Sequence, residues 1–194
     1  MKFPLQLSFK LLALASQIFV RDADGRTVAY VKQKLFKLKE DIRVFSDESQ
    51  QQLMYFIKAD RIIDFSARYN FLAADGRPIG SIKRQGMRSL WRAHYEISDA
   101  NGNIEMEVRE ENGFVKVADA LVGEIPIIGM FTGYFFNPSY IVTHSTAGLV
   151  ARLSKKPSFF ERGFEIERIG AANISDELLL LSVLTMTLLE RSRG

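Results

Sequence analysis

The chain has 194 residues, 47% of them hydrophobic and 25% charged, with no cysteine and two histidines. That length suits one domain with a sizeable core, and a mean hydropathy near zero excludes a disordered, collagenous or polytopic membrane chain. The absent thiols exclude a disulfide scaffold, a thiolate zinc site, an iron–sulfur cluster and a cysteine nucleophile, and two histidines leave little for metal or acid–base chemistry. The formal charge of +3 is too small to indicate a nucleic-acid partner, but it divides unevenly. Residues 1–92 carry 17 Lys/Arg against 9 Asp/Glu, a net of +8, while residues 93–194 carry 9 against 14, a net of −5.

In chain order, Met1 to Val20 imitates a secretory leader, with Lys2, an apolar stretch and an Ala13-Leu14-Ala15 triplet. Lys10 interrupts the stretch, and Phe3, Leu5, Leu7 and Phe9 alternate with other residues as a half-buried strand does. Three units then end in a hairpin signal: Ile18 to Gly25, Phe71 to Gly76 and Tyr95 to Gly102. Asp-Gly and Asn-Gly suit two-residue type I′ turns. With Asn101-Gly102 as the loop, Ile97 faces Met106 and Tyr95 faces Val108, an unbroken apolar face. The same rule sets Val20 against Ala29, Ile18 against Val31, and Leu72 against Ile79. Two further hairpins join Ile42-Val44 to Leu53-Ile57, and Tyr140-Thr143 to Leu149-Leu153. With the first strand and Phe164-Ile166, about a dozen antiparallel strands emerge. Segment 117–136 fits neither period and reads as a short helix and packed loop.

The C-terminal part differs in kind. Ser175 can cap a helix over about 175–191, Asp176 and Glu177 suit its positive end, and Arg191 and Arg193 suit its negative end. Leu178 to Leu189 has no polar face beyond hydroxyls and is too short to span a bilayer, so it should be buried on every side. A sandwich core about 10 Å thick has no room for it, whereas a closed barrel does. The predicted fold is mainly β, a closed antiparallel barrel around its own last helix, with residues 1–194 as one domain.

The residues Asp22-Ala-Asp-Gly25, Val28-Ala-Tyr-Val-Lys-Gln-Lys-Leu-Phe36, Ile42-Arg-Val-Phe45, Gly76-Arg-Pro-Ile-Gly-Ser-Ile-Lys83 and Asp176-Glu-Leu-Leu-Leu-Leu181 resemble the LURP-one-related branch of the tubby C-terminal superfamily, with phospholipid scramblases as distant relations. The resemblance spans nearly the whole chain and implies twelve strands around the helix. It also implies a mode of binding, because tubby domains hold phosphoinositide headgroups with basic residues on neighbouring strands. Lys32 and Lys34 occupy the matching strand, on the face opposite Ala29, Val31 and Gln33. Lys37 and Lys39 follow, beyond a parity switch at Leu35-Phe36 that suggests a bulge. Lys83, Arg84, Arg88 and Arg92 form a second basic set. Nothing matches a scramblase's calcium loop, cysteines or anchor.

Enzyme readings find no convergent site. His94-Tyr95-Glu96 lacks the cysteines of a zinc deaminase, His144-Ser145 reads as a loop, Trp91 reads as core, and no nucleophile elbow, Walker loop or dinucleotide fingerprint is present. The expectation is a non-enzymatic binding module without cofactor or metal, without a transmembrane segment, cytoplasmic and peripheral to an anionic phospholipid membrane through Lys32, Lys34, Lys83 and Arg84. The alternative is a protein-interaction barrel that uses the apolar segment 121–136 to meet a partner.

Overall fold

The alternation becomes twelve strands and one helix in the structure, a computed structural model that describes residues 1–12, 15–34, 41–61, 67–85, 94–111, 139–156, 162–170 and 173–191. The strands are Leu5–Leu12 (β1), Ala15–Arg21 (β2), Thr27–Lys34 (β3), Asp41–Phe45 (β4), Leu53–Ala59 (β5), Arg68–Ala73 (β6), Pro78–Arg84 (β7), His94–Asp99 (β8), Ile104–Glu110 (β9), Ser139–His144 (β10), Gly148–Lys156 (β11) and Arg162–Arg168 (β12), followed by the helix Asp176–Arg191 (α1). Every strand pairs antiparallel with its sequence neighbours, and β1 closes onto β12. Order around the barrel is therefore order along the chain.

Pairing follows the expected register, but the turns differ from the expected type. Ile18 faces Val31, Val20 faces Ala29, Tyr95 faces Val108 and Ile97 faces Met106. At the loops, the Gly25, Gly76 and Gly102 N–H groups donate to the carbonyls of Asp22, Ala73 and Asp99 at 2.9, 2.9 and 3.1 Å. Among the described residues only Gln50 is a non-glycine with positive φ, so Asp24, Asp75 and Asn101 are not in the conformation a type I′ turn demands. Each loop is instead a type I turn over Ala-Asp or Ala-Asn, and the left-handed residue is the following glycine, with φ of +78°, +89° and +87°. Steric cost explains the choice, because only glycine enters that region freely. Each such turn inserts one residue into the returning strand: Val28, Ile79 and Glu105 fall between paired positions. The insertion corrects one expected pair, since Leu72 meets Pro78 rather than Ile79.

The inward residues of all twelve strands and of α1 form one core, in which the helix lies against β6, β7 and β8. Leu178 to Leu188 is buried on every face, the most exposed of these being Leu188 at 6%. Sixteen residues make α1 about 24 Å long, the length needed to fill the barrel from rim to rim. Ser175 caps it, its Oγ accepting the Leu178 N–H at 3.2 Å. At Gly80 the wall comes close to the helix. A Cβ there would run into the Ser98 carbonyl and lie 2.7 Å from Leu178 Cδ1, on a backbone with φ of +155°.

Up-and-down order gives the barrel two unlike rims. Odd-numbered strands run toward one rim and even-numbered strands run away from it. The connections 13–14, 35–40, 60–67, 85–93, 111–138 and 157–161 all leave from the first rim, where α1 ends. The second rim holds the tight turns after β2, β4, β6, β8 and β10, and it is where α1 begins. We call them the loop rim and the hairpin rim.

Candidate functional site

Chain order decides how the uneven charge lies in space. In a meander the two halves of the sequence become two halves of the circumference, so basic and acidic stretches form separate faces. Within the strands β1–β7 the positions Lys10, Arg21, Lys32, Lys34, Arg43, Lys58, Arg68, Lys83 and Arg84 stand against the single carboxylate Asp41. The acids of that half lie mostly in its turns, at Asp22, Asp24, Asp47, Glu48 and Asp75.

The structure brings the four expected headgroup residues to one rim. Lys32 and Lys34 end β3, and Lys83 and Arg84 end β7, both at the loop rim. They are not adjacent. The strands β4, β5 and β6 stand between, roughly 19 Å around the wall at about 4.8 Å per strand. Lys32 is exposed and Lys83 half-buried on the outer face, where Lys83 lies between Arg68 and Glu96 across the sheet. Lys34 is placed by its backbone. Arg84 departs from the expectation of a surface cation. Successive strand residues face opposite sides, so with Lys83 outside, Arg84 turns inward and is 8% exposed. The residues 37, 39, 88, 91 and 92, and the segment 121–136 with the expected helix in 117–136, lie outside the described residues.

Arg84 belongs to one of two similar groups that hold the ends of α1. At the loop rim the Tyr95 hydroxyl donates to Glu190 of the last helical turn, and the Arg84 guanidinium lies 3.8 Å from the same carboxylate. Burial raises the pKa of Tyr95 and of Tyr140, and the charge of Glu190 adds to both shifts. At the hairpin rim the Tyr55 hydroxyl donates to Glu177 at 3.1 Å, with Arg77 at 3.7 Å from that carboxylate. Tyr55 is pushed up to about 12, first by burial and then by Glu177. A tyrosine from the wall thus bonds each end of the helix, joined by Arg84 of β7 at one end and by Arg77 of the turn before β7 at the other.

Outside the barrel, β1–β3 carry an aromatic pair that is separate from the core. Phe19 and Tyr30 face each other across the strands with ring centroids 5.0 Å apart. Lys10 and Arg21 lie over the Phe19 ring at 5.2 and 5.3 Å. Strand pairing sets Lys10, Gln17 and Lys32 in one row across β1, β2 and β3. Burial raises the Tyr30 pKa, and Gln17 counters it by hydrogen-bonding that side chain. Lys10 is thus a neighbour of Lys32 that reading β3 alone does not find. Lys58, Arg68, Arg109 and Lys155 were missed in the same way. Their signal is positional, since each sits within two residues of the loop-rim end of its strand.

The histidines serve loops and wall. His144 Nδ1 accepts from the Thr146 and Ala147 N–H groups, each at 3.2 Å, and thereby shapes the turn after β10. His94 Nε2 lies 3.4 Å from Glu107 on the outer face of β8 and β9. Among the described residues no three His, Asp or Glu side chains are grouped to hold a metal ion, and no helix is long and apolar enough to cross a membrane.

These features define a class: a twelve-stranded meander barrel threaded by its own terminal helix, with lysines at the loop-rim ends of β3, β5, β7 and β11. The family model described as LURP-one-related matches residues 27–175, and the chain belongs to that family. The crystal structure of a protein from Arabidopsis thaliana is similar in fold, with a TM-score of 0.51 over 100% of this chain and 94% of its own, at 11% identity. No curated protein matches the sequence.

Proposed function

We propose that the protein is a non-enzymatic binding module that tethers to anionic phospholipid, phosphoinositides included, through basic residues at the loop-rim ends of its strands. The observation that carries this reading is the convergence of Lys32, Lys34 and Lys83 on one rim, joined there by Lys10 and Lys58. A cation near an anionic bilayer is worth about 1 kcal/mol, so a handful acting together give measurable binding at moderate salt. Among the described residues the interior is filled by α1, buried from Leu178 to Leu188. Arg84 supports the rim from within by holding Glu190 and does not face a headgroup. The surroundings of the module are those of a peripheral, cytoplasmic protein.

Flotation with vesicles of phosphatidylcholine alone, or with phosphatidylserine or a phosphoinositide added, tests the reading. Binding should require the anionic lipid and fall with salt. The Lys32→Glu/Lys83→Glu variant should bind about tenfold or more weakly, since reversing two charges removes contributions of about 1 kcal/mol each and adds repulsion. Salt-insensitive binding, or none with wild type at low salt, overturns it.

A further inference from the structure

We infer that the seam between β3 and β4 is a docking site for an extended acidic segment of a partner protein, which adds to the wall there as a further strand. The inference does not rest on the proposed lipid reading, although Lys32 serves both.

At this seam the wall is least joined. Every other pair of neighbouring strands is paired at five to seven positions, whereas β3 and β4 are paired at one, Tyr30 with Phe45. Continued toward the loop rim, the antiparallel register would set Val31 against Val44 and Lys32 against Arg43, and neither pair forms. The other edges of the two strands are in use, since β3 pairs along its length with β2 and β4 along its length with β5. Over these residues each strand therefore presents an edge whose N–H and C=O groups no ladder takes up, and the two edges face each other. Extended peptides bind by completing such edges, with affinity from main-chain hydrogen bonds and specificity from alternate side chains.

The side chains along the two edges define the guest. Val31, Ile42 and Val44 are buried on the inner face, so every second guest residue is apolar and joins them. Lys32 and Arg43 are exposed on the outer face, where Lys10 lies in the same row as Lys32 and exposed Lys58 ends the next strand. Asp41 is the one acid in β1–β5, and it pairs across the ladder with Lys58. Glu48 lies near Tyr30 at the closed end of the seam, and Asp60, after β5, accepts the Arg68 N–H at 2.9 Å and lies 3.7 Å from Arg61. The outward residues of the guest are therefore aspartate or glutamate, which meet Lys32 and Arg43 as charge-assisted partners. The same two cations deter a second copy of this chain from pairing here, because like charges opposed across a ladder repel.

A fluorescein-labelled, end-capped peptide of alternating glutamate and valine tests this with the wild-type protein. One control replaces each glutamate by lysine, and a second methylates the backbone amides, which keeps the charges and removes the main-chain donors. The glutamate–valine peptide should bind, and both controls should bind at least tenfold more weakly. Hydrogen exchange at the seam-facing amides among Val31, Lys32, Arg43 and Val44 should be fast in the free protein and slow once the peptide is bound. Because the chain contains no cysteine, nitroxides at Lys32→Cys and Arg43→Cys report the seam directly, and saturating peptide should move them apart by about 5 Å, one strand spacing. Equal binding of the methylated peptide means charge attraction without strand addition and overturns the inference. Absence of binding at low salt, or seam-facing amides that exchange in the free protein as slowly as those between β2 and β3, does the same. Slowing of these amides by phosphatidylserine vesicles but not by the peptide gives the seam to the membrane and also overturns the docking. Flotation without peptide bears on the lipid reading alone.

Discussion

At Gly80 a single missing methyl group sets the distance between helix and wall. Gly80→Ala drives a Cβ into the Ser98 carbonyl and Leu178, on a backbone that L-residues avoid. It should cost about 2–4 kcal/mol of unfolding free energy in urea titrations. Gly102→Ala has open space around it and only its φ of +87° to oppose it, so it should cost about 1 kcal/mol. Ser182 is the reverse case. Its Oγ is buried in α1 without a hydrogen-bond partner, whereas Thr185 and Thr187 donate to the carbonyls of Leu181 and Val183 at 2.7 and 2.6 Å. Ser182→Ala should therefore raise stability by about 1 kcal/mol, measured in the same titrations. None of these differences shows in the sequence. The hydroxyls of the helix are alike as letters, and only packing tells which has a partner.

Among the elements, α1 is fastened at both ends by an acid, a tyrosine and an arginine, and the tyrosines give it a pH signature. Tyr55, Tyr69, Tyr95 and Tyr140 all have raised pKa values in the folded barrel, with burial the first cause. A group whose folded pKa is raised holds its proton longer in the folded state. Its contribution is complete below the unfolded pKa of about 10 and is lost as pH rises toward the folded value. For Tyr55 that window runs from about 10 to about 12. Unfolding free energy should fall above pH 10 by up to about 1.4 kcal/mol per pH unit for each such tyrosine. In alkaline urea titrations Tyr95→Phe/Tyr140→Phe should flatten the slope. The helix was legible because Ser175, Asp176 and Glu177 precede an unbroken apolar run. Its partners were not, for Arg84 beside Lys83 reads as one basic pair until strand parity puts them on opposite sides of the wall.

For the molecule as a whole, the meander turns position in the sequence into position in space. The register of the hairpins at Gly25 and Gly102 was legible from apolar alternation, because a slip by one residue would carry every inward side chain to the outside, while at Gly76 the inserted residue moved Leu72 from Ile79 to Pro78. Turn type was less so, since Asp-Gly and Asn-Gly serve both the type I′ turn and the type I turn with a bulge, and the choice depends on backbone strain in the assembled ladder. The need for a barrel also lay in the sequence: Leu178 to Leu189 has no face for water, and only a closed wall covers all sides of a helix. Tertiary structure alone decided which charges meet. Lys32 and Lys83 are 51 positions apart in the chain and share a rim because β3 and β7 run in the same direction. Lys10 joins Lys32 across β2 for a similar reason. Local chemistry, repeated along the chain, determined strands, turns and the buried helix. Strand direction and closure, which depend on every pairing at once, decided where the cations gather.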